Sequence, residues 1–537
     1  MYLNELYLYN FKSFKGLQKI TFNRNKNILV GNNGVGKTTV IQALRLILKG
    51  SSFEYNGVSY LAKLINAEIQ KNYDIGTQSV DELPSFQLAL TFETESDDEL
   101  IPSLRKFEGE TIIGGKKLEG KMGISFSYEF NSDYEDEFTL YQKTKNNDEK
   151  LLIPYDLYHV KHNLFGGGTY TARMDPMKSV FIDNDRFNGD PYNMFARQMY
   201  YTLDKKEQLL AKFTFRDKNN DLFSEINQKI NGYNLEVNTD GLRFESLLGI
   251  KNDKQVAIEE EGSGKENLIK TKIALDKSIE TKLVVIEEPE NHLTASSTRE
   301  QLANIEKNSD DVQIIMTTHD SHIVSRLSVR NLLWLKDFEN RKSIYKFQDL
   351  DESTLEYFNK RDDLDFLRIL TAKKVILVEG AAEYILMPMF LKKLNVKNDI
   401  EVLSMNGRYY QPFVKLGKEV GNKILVFTDN DGEIERLQEI KEFNGENVRV
   451  YTDLNLLNYT FEVSEYEKNK TLICEEPFST KANVENKVNG HTYDKYVSYM
   501  LNHKTKVALK MQERFARIDS QYKIPDYIVE GIKWLIV

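Results

Sequence analysis

A single cysteine, Cys474, stands among the 537 residues. No disulfide can form within the chain, and nothing in it depends on an oxidising compartment. Long apolar runs are missing as well: no window approaches the eighteen consecutive apolar residues that a membrane-crossing helix requires. The opening MYLNELYLYNFKSF lacks the charged-then-apolar order of a secretory leader, so a soluble, cytoplasmic chain is the expectation. Positive charge is not in excess, the formal net charge being −10, which argues against a uniformly basic nucleic-acid binder. A local basic groove stays open, because binding depends on where the charges sit. No internal repeat and no long heptad run is found, which excludes a long coiled-coil arm. What remains is globular composition: 40% apolar and 29% charged residues, with 29 Tyr and 29 Phe to supply burial. The length implies about three or four domain-sized units.

The most informative stretch is Gly31-Asn32-Asn33-Gly34-Val35-Gly36-Lys37-Thr38, set between the apolar run Ile28-Leu29-Val30 and a helix-periodic segment bearing Val40, Ile41, Leu44, Ile47 and Leu48, with Gly50 placed to stop it. A G-x-x-x-x-G-K-[ST] loop in this context turns successive backbone N–H groups toward one anion, sends Lys37 to the outer phosphates and offers the Thr38 hydroxyl to Mg²⁺. Ahead of it, the alternation over residues 2–9 and the run Lys19-Ile20-Thr21-Phe22 predict an antiparallel strand pair leading into a parallel sheet. Phe86–Phe92 and Gly123–Tyr128 predict further strands. Gln87 is either a sensor of Mg²⁺ and γ-phosphate or an ordinary solvated strand position. Gly166-Gly167-Gly168 is either a phosphate cradle or a flexible turn, and lacks the strand-helix context of the first loop. Helical patterns follow at 205–213 and 221–232.

Gly262-Ser263-Gly264 opens a helix with Leu268, Ile269, Ile273 and Ala274, a second anion site. Leu283-Val284-Val285-Ile286 then runs into Glu287-Glu288-Pro289-Glu290, a buried strand ending in paired carboxylates, as in a Walker B element. Two acids side by side are costly to ionise unless a cation or an ordered water lies between them. In this reading Glu287 holds the Mg²⁺ shell and Glu288 polarises the attacking water. Val312–Met316 ends at Thr317-Thr318-His319-Asp320, placing His319 at a strand end within reach of a γ-phosphate.

In this order the four features resemble an ATP-binding-cassette ATPase of the RecF/SMC branch over about 1–340. The resemblance implies ATP contacts at Asn32, Asn33, Gly34, Val35, Gly36, Lys37, Thr38, Thr39, Ser263 and Gly264, Mg²⁺ at Thr38 and Glu287, and catalytic roles for Glu288 and His319. Gly262-Ser263-Gly264 is shorter than the family's usual signature. Glu290-Asn291-His292-Leu293-Thr294 departs from the second histidine and proline that often follow. About 250 residues separate the phosphate loop from the acidic strand, which leaves room for an inserted arm at 155–250, with dimerisation its expected role.

Beyond a charged linker, Lys374-Val375-Ile376-Leu377-Val378 ends at Glu379-Gly380, Glu383 stands at a helix start, and Ile424–Phe427 runs into Thr428-Asp429-Asn430-Asp431-Gly432. Alternate residues of an extended chain share a face, so Asp429 and Asp431 are expected to join Glu379 at the carboxyl ends of parallel strands, a set of hard oxygens suited to Mg²⁺ or Mn²⁺. This arrangement resembles a Toprim domain. A cassette ATPase followed by Toprim resembles the OLD (overcoming lysogenization defect) family of ATP-dependent endonucleases across nearly the whole chain. The family pattern further implies Glu462 of Thr460-Phe461-Glu462 as a metal ligand and Lys504 of Lys504-Thr505-Lys506 as the active-site lysine, with Lys506 a competing choice. The segment 481–517 carries eight Lys/Arg against three acids, interleaved with Tyr493, Tyr496 and Tyr499, and is either a backbone-binding surface or a solvated helix face.

The expected architecture is α/β throughout: an ABC-type ATPase in two parts, 1–154 and 251–350, the arm at 155–250, a linker at 351–369, and a Toprim domain with a C-terminal helical region at 370–537. The expected function is an ATP-controlled, metal-dependent DNA endonuclease. A non-nucleolytic repair or structural ATPase that uses Toprim as a binding platform is the alternative. The resemblance implies a homodimer or higher oligomer and antiphage defence as the setting, with the protein acting alone, with a helicase-like protein encoded nearby, or beside a reverse transcriptase and its DNA product. The sign of ATP control is not written in residues that serve binding and hydrolysis alike.

Overall fold

The computed structural model describes residues 1–50, 57–75, 79–94, 102–144, 152–183, 194–220, 222–230, 235–236, 244–276, 280–308, 311–338, 341–347, 350–361, 363–396, 399–475, 478, 487–488, 491–492, 495–515 and 521–537. Tyr493 and much of the basic segment's first half lie outside these residues, as do parts of the helical pattern expected at 221–232. The chain divides into two units, Met1–Ile323 with Arg330–Phe347, and Val324–Val329 with Gln348–Val537. Among the described residues no helix is long and apolar enough to cross a membrane.

In the first unit β1 (Tyr2–Tyr9) pairs antiparallel with β2 (Leu17–Thr21), and β3 (Lys26–Val30) enters a second sheet, as the alternation predicts. The later strands β4 (Phe86–Glu93), β5 (Glu108–Ile113), β6 (Lys116–Phe130) and β7 (Tyr158–Leu164) extend the antiparallel sheet in the order β2-β1-β4-β6-β5, with β7 also on β6. The second sheet has the order β12-β11-β3-β10-β9-β8, built from β8 (Val180–Asp183), β9 (Leu283–Glu287), β10 (Gln313–Thr317), β11 (Leu332–Phe338) and β12 (Arg341–Lys346). Its pairings from β8 through β11 are all parallel.

The helix Lys37–Lys49 touches both sheets and shares one apolar cluster with Leu6, Phe86 and Leu90 of the first and Leu29 and Val285 of the second. Val40, Ile41, Leu44, Ile47 and Leu48 are all buried, each worth roughly 1.5–3 kcal/mol. Gly50 ends the helix at φ 76° with its N–H on the Leu46 carbonyl. Gln313 fastens the sheets together: its amide oxygen accepts from Leu3 N–H and its amide nitrogen donates to Leu3 C=O, both at 2.8 Å.

Two expected boundaries move. Strands β7 and β8 belong to the ATPase sheets, and beyond them the described residues of 155–250 include the helices Met194–Thr202 and Lys205–Asn220. The linker at 351–369 is folded: helices Glu352–Lys360 and Phe366–Thr371 are capped by Asp351 and Asp365, and bury Leu355, Phe358, Phe366, Leu367, Ile369 and Leu370. Its charges lie on the outer faces of short amphipathic helices, a pattern that composition alone reads as linker. Gly166–Gly168 forms a hairpin turn, with Gly167 N–H on Leu164 C=O and Leu164 N–H on Gly168 C=O.

The second unit holds a four-stranded, wholly parallel sheet in the order β14-β13-β15-β16: β13 (Lys374–Val378), β14 (Ile400–Ser404), β15 (Lys423–Phe427) and β16 (Val448–Tyr451). The chain runs from β13 to β14 on one side and returns to β15 on the other. The strand order therefore reverses between β13 and β15, the point at which sites form at the carboxyl ends of such sheets.

Candidate functional site: two acidic strand ends

The phosphate loop leaves β3 at Gly31 and curls through positive φ at Gly31 (148°), Gly34 (76°) and Gly36 (119°) before the helix starts at Lys37. Space as well as torsion demands glycine at two of these: a Cβ on Gly31 would lie 2.4 Å from the Leu335 carbonyl oxygen, and one on Gly36 2.8 Å from Ser13 Oγ. Lys37 is buried and donates to the carbonyls of Gly31 (2.8 Å) and Asn32 (3.2 Å). Asn32, Asn33, Gly34 and Thr38 are exposed, whereas Val35 and Thr39 are buried, with Thr39 Oγ1 at 3.3 Å from Ser13 Oγ. Lys342, which no motif points to, donates to Val35 C=O at 2.6 Å and braces the loop from β12. Gln87 accepts from Gly114 N–H at 2.9 Å, an engagement within the antiparallel sheet.

Parallel register sets Thr317 beside both Leu29 and Glu287, so β3, β10 and β9 end level with one another. Glu288 sits one residue past β9 at φ 44°, a left-handed conformation that costs a non-glycine residue of order 1 kcal/mol or more. Its N–H donates to Thr317 C=O and Oγ1, both at 3.1 Å, its carboxylate accepts from Asn291 at 2.9 Å, and His319 Nε2 lies 3.3 Å from Oε1. Burial and the nearby Lys37 hold His319 below its usual range against the pull of Glu288. Burial likewise lowers Lys37, while Glu288 and Glu290 draw it back.

Glu290 is the residue the sequence reading passes over. Its Oε1 accepts from Thr318 Oγ1 (2.8 Å) and His319 N–H (2.7 Å), so it fixes the backbone that carries the histidine. Burial pushes its carboxyl upward. Its signal was its place two residues beyond Glu288 in the turn after β9. Ser263 begins the helix Ser263–Ala274, and a Cβ on Gly264 would fall 2.3 Å from the His292 carbonyl oxygen.

In the second unit Glu379 ends β13 and accepts from Thr428 Oγ1 (2.8 Å) and Asp429 N–H (3.0 Å), which ties the ends of β13 and β15 together. Asp429 in turn accepts from Phe461 N–H at 2.8 Å, at the start of the helix Phe461–Glu475 that carries Glu462. Lys504, itself about half exposed, pairs with Glu462 at 2.9 Å. Glu383 is 8% exposed and Glu462 3% exposed. Burial first, then Glu462 and Glu379, push the Glu383 carboxyl up to about 7, with Lys504 opposing. Asp429 is raised well above its usual range by burial, then by Glu379, Glu383 and Glu462. Glu379, Glu383, Asp429, Glu462 and Lys504 thus form one electrostatic group.

Asp431 is placed otherwise than extended alternation predicts. The strand ends at Phe427 and residue 431 has φ 54°, so the two-residue period no longer applies. Its carboxylate meets Arg408 at 3.1 Å and Arg436 at 3.3 Å. Arg436 also donates to Asp429 C=O (2.8 Å) and Thr428 Oγ1 (3.0 Å), stapling the loop that presents the acids. The helices Lys495–Asn502 and Lys504–Phe515 bury Val497, Met500, Val507, Ala508 and Met511, and Tyr496 and Tyr499 pack at the rim of the same core. Those two tyrosines pack against the core.

Carboxylates are hard oxygen donors, the kind that divalent cations such as Mg²⁺ and Mn²⁺ take. Among the described residues no three acidic, imidazole or thiol groups already converge as a metal cage.

Residues 1–188 match the family described as AAA ATPase domain, and residues 370–431 the family described as overcoming lysogenization defect protein-like, TOPRIM domain. Endonuclease GajA of Bacillus cereus (strain HuB5-5) is 22% identical over 83% of this chain and 79% of its own length. The Retron Vc95 probable ATPase of Vibrio cholerae is 21% identical over 63% of this chain and 74% of its own. The DNA replication and repair protein RecF of Caldanaerobacter subterraneus is 23% identical over 60% and 78% respectively. Among solved structures, an SMC head bound to the C-winged helix domain of ScpA aligns with 65% of this chain and 99% of its own, at 14% identity and a TM-score of 0.37. With the phosphate loop inside the first matched region and Glu379, Glu383 and Asp429 inside the second, the chain joins an ATPase domain to a Toprim domain of the overcoming-lysogenization-defect-like family.

Proposed function

We propose that this chain is an ATP-controlled, divalent-metal-dependent DNA endonuclease. The observation that carries the reading is the group of half-buried Glu379 and Asp429 with buried Glu383 and Glu462 at the switch point of a parallel sheet, with Lys504 as its cation. Four acids with one lysine are poorly suited to a purely structural role, since burial and the neighbouring acids oppose ionisation of Glu383 and Asp429. Similarity to endonuclease GajA over most of the chain supports the same reading.

These four acids would hold the metal, and Asp431 would join them only by giving up Arg408 and Arg436. A divalent ion bound there supplies an activated water and stabilises charge on the attacking and leaving oxygens. Lys504 places positive charge beside the scissile phosphate, and Arg436 keeps the loop of Asp429 in register with Glu379. At the nucleotide site Lys37 and the N–H groups of Asn33–Thr39 receive phosphates, and Thr38 with Glu287 would hold Mg²⁺. Ser263 and Gly264 would meet nucleotide across a homodimer, Glu288 orients water, and His319, set by Glu290, senses the γ-phosphate. The helical stretch from Met194 is our candidate for dimerisation. Antiphage defence in the cytoplasm, alongside a helicase-like protein or a reverse transcriptase and its DNA, is the setting we propose.

Supercoiled plasmid incubated with Mg²⁺ or Mn²⁺, with and without ATP, tests the proposal beside the Asp429→Ala variant. Nicked or linear product that disappears in the variant is the expected result, and the ATP lanes give the sign of control. Plasmid left intact in every lane would sink the stand-alone nuclease.

A further inference from the structure

The loop after β14 is built with unusual rigidity beside the acidic strand ends. Met405 N–H donates to Val378 C=O at 2.8 Å and Gly407 N–H to Glu379 C=O at 3.0 Å, so backbone pairing continues past the end of the strand, up to the first acid of the site. Asn406 (φ 48°) and Gly407 (φ 150°) then turn the chain sharply outward. The next two side chains face solvent: Arg408 is 66% exposed and Tyr409 50% exposed. Neither is loose. Asp431 holds the Arg408 guanidinium, and Tyr357 meets the Tyr409 ring edge to face, with centroids 5.3 Å apart and planes at 70°. Arg361 lies over Tyr357 at 5.5 Å and donates to Met405 C=O at 2.9 Å, locking the helix Glu352–Lys360 to this loop.

An exposed arginine and an exposed, braced tyrosine side by side have a specific use beside a site that cuts phosphodiesters. The acids repel a polyanion, so a strand approaching them needs a cation beside them. A tyrosine ring can stack on a base only if that base has left its own stack, which duplex DNA does not offer. We propose that Arg408 and Tyr409 form a ledge that receives a single strand or a locally unpaired nucleotide next to the scissile phosphate, arginine on phosphate and tyrosine on the base. The inference rests on the nuclease reading and names the substrate class: DNA with unpaired bases, as at ends, flaps and gaps and in the locally opened stretches of supercoiled DNA.

Binding is measured in EDTA, where nothing is cut, with a 2-aminopurine single strand and with the same strand in a blunt duplex. The full-length protein is expected to bind the single strand more tightly and to quench its fluorescence. Tyr409→Ala should weaken single-strand binding roughly five- to hundred-fold and abolish the quench, while Tyr409→Phe restores both. Arg408→Gln should weaken both substrates and lower the salt dependence by about one ion. Melting temperatures check that the surface variants fold. Equal binding of single strand and duplex by the parent protein, or an unchanged quench in Tyr409→Ala, would overturn the ledge. Binding that follows this pattern in a protein that cuts no substrate with metal present would uphold the ledge and sink the nuclease reading.

Discussion

The two acidic strand ends of this chain are built from the same parts and satisfied in opposite ways. At the nucleotide site each acid that follows β9 has donors from the protein itself: Asn291 and His319 for Glu288, Thr318 and the His319 N–H for Glu290. At the Toprim site Glu379 and Asp429 accept from backbone and threonine, but Glu383, Asp429 and Glu462 also crowd one another around a single lysine. The first site is set for its ligand by hydrogen bonds, with some strain stored at Glu288. At the second, burial and neighbouring acids hold Glu383 and Asp429 above their usual range, an imbalance that a bound cation would relieve. One fold principle, carboxylates at the carboxyl ends of parallel strands, thus gives a prearranged site in one unit and a cation-demanding one in the other.

The sharpest way to break this comparison is to remove the central group of each site. Lys37→Ala should lower ATP hydrolysis about 10²–10³-fold, the usual cost of losing one preorganised charge donor. Asp429→Ala should lower plasmid cleavage by at least as much. Loss of cleavage without loss of hydrolysis in Asp429→Ala would keep the two chemistries apart. Hydrolysis that fell equally in Asp429→Ala would show that the sites are not separate, and the contrast would fail.

Much of this was legible before the fold was known, for a physical reason. Phosphate loops and strand-end acids are local: strand, glycine turn and helix lie within a few residues, so Gly31–Thr38, Glu287-Glu288 and Glu379-Gly380 declare themselves. What escaped is what acts across distance or depends on torsion. Lys342 reaches Val35 from some 300 residues away. Extended alternation makes Asp431 a partner of Asp429, but the strand ends at Phe427, four residues earlier, and a positive φ turns Asp431 to Arg408 and Arg436. The supposed linker hid two capped helices, since short amphipathic helices with charged outer faces share their composition with linkers.

A stability measurement sharpens the contrast further. Asp429→Asn keeps an oxygen for the Phe461 N–H while removing a buried charge, so the metal-free protein should become more stable, by about 1–3 kcal/mol, even as cleavage is lost. Glu288→Gln should show no such gain, its carboxylate being partnered by Asn291 and His319. Mg²⁺ or Mn²⁺ should raise the melting temperature of the parent protein and much less that of Asp429→Asn. A metal-free Asp429→Asn less stable than the parent would remove the idea of an electrostatic imbalance.

Asp431 provides a finer test. If it serves by holding Arg408 and Arg436, Asp431→Asn should raise KM for DNA roughly tenfold with kcat largely kept, the pattern of lost substrate binding. A fall in kcat as deep as that of Asp429→Asn would instead place Asp431 among the metal's ligands.

The smallest expected effect lies behind the Toprim acids, at Glu465. This carboxyl is 0% exposed, accepts a hydrogen bond from Tyr522 and has Asn469 at 3.4 Å, and burial pushes it from 4.5 to about 8. The folded chain therefore keeps a proton there that the unfolded chain releases above pH 4.5, and stability is lost as the pH rises from 4.5 through about 8. Glu465→Gln cannot release that proton. Its melting temperature should match the parent's near pH 5 and exceed it near pH 8, where the parent must bury a carboxylate or unfold. Parallel melting curves for the two proteins across that range would mean that Glu465 stays ionised in the fold. The buried layer beneath the Toprim acids would then carry its charge as Glu288 does, and the difference between the two units would end at the strand tips.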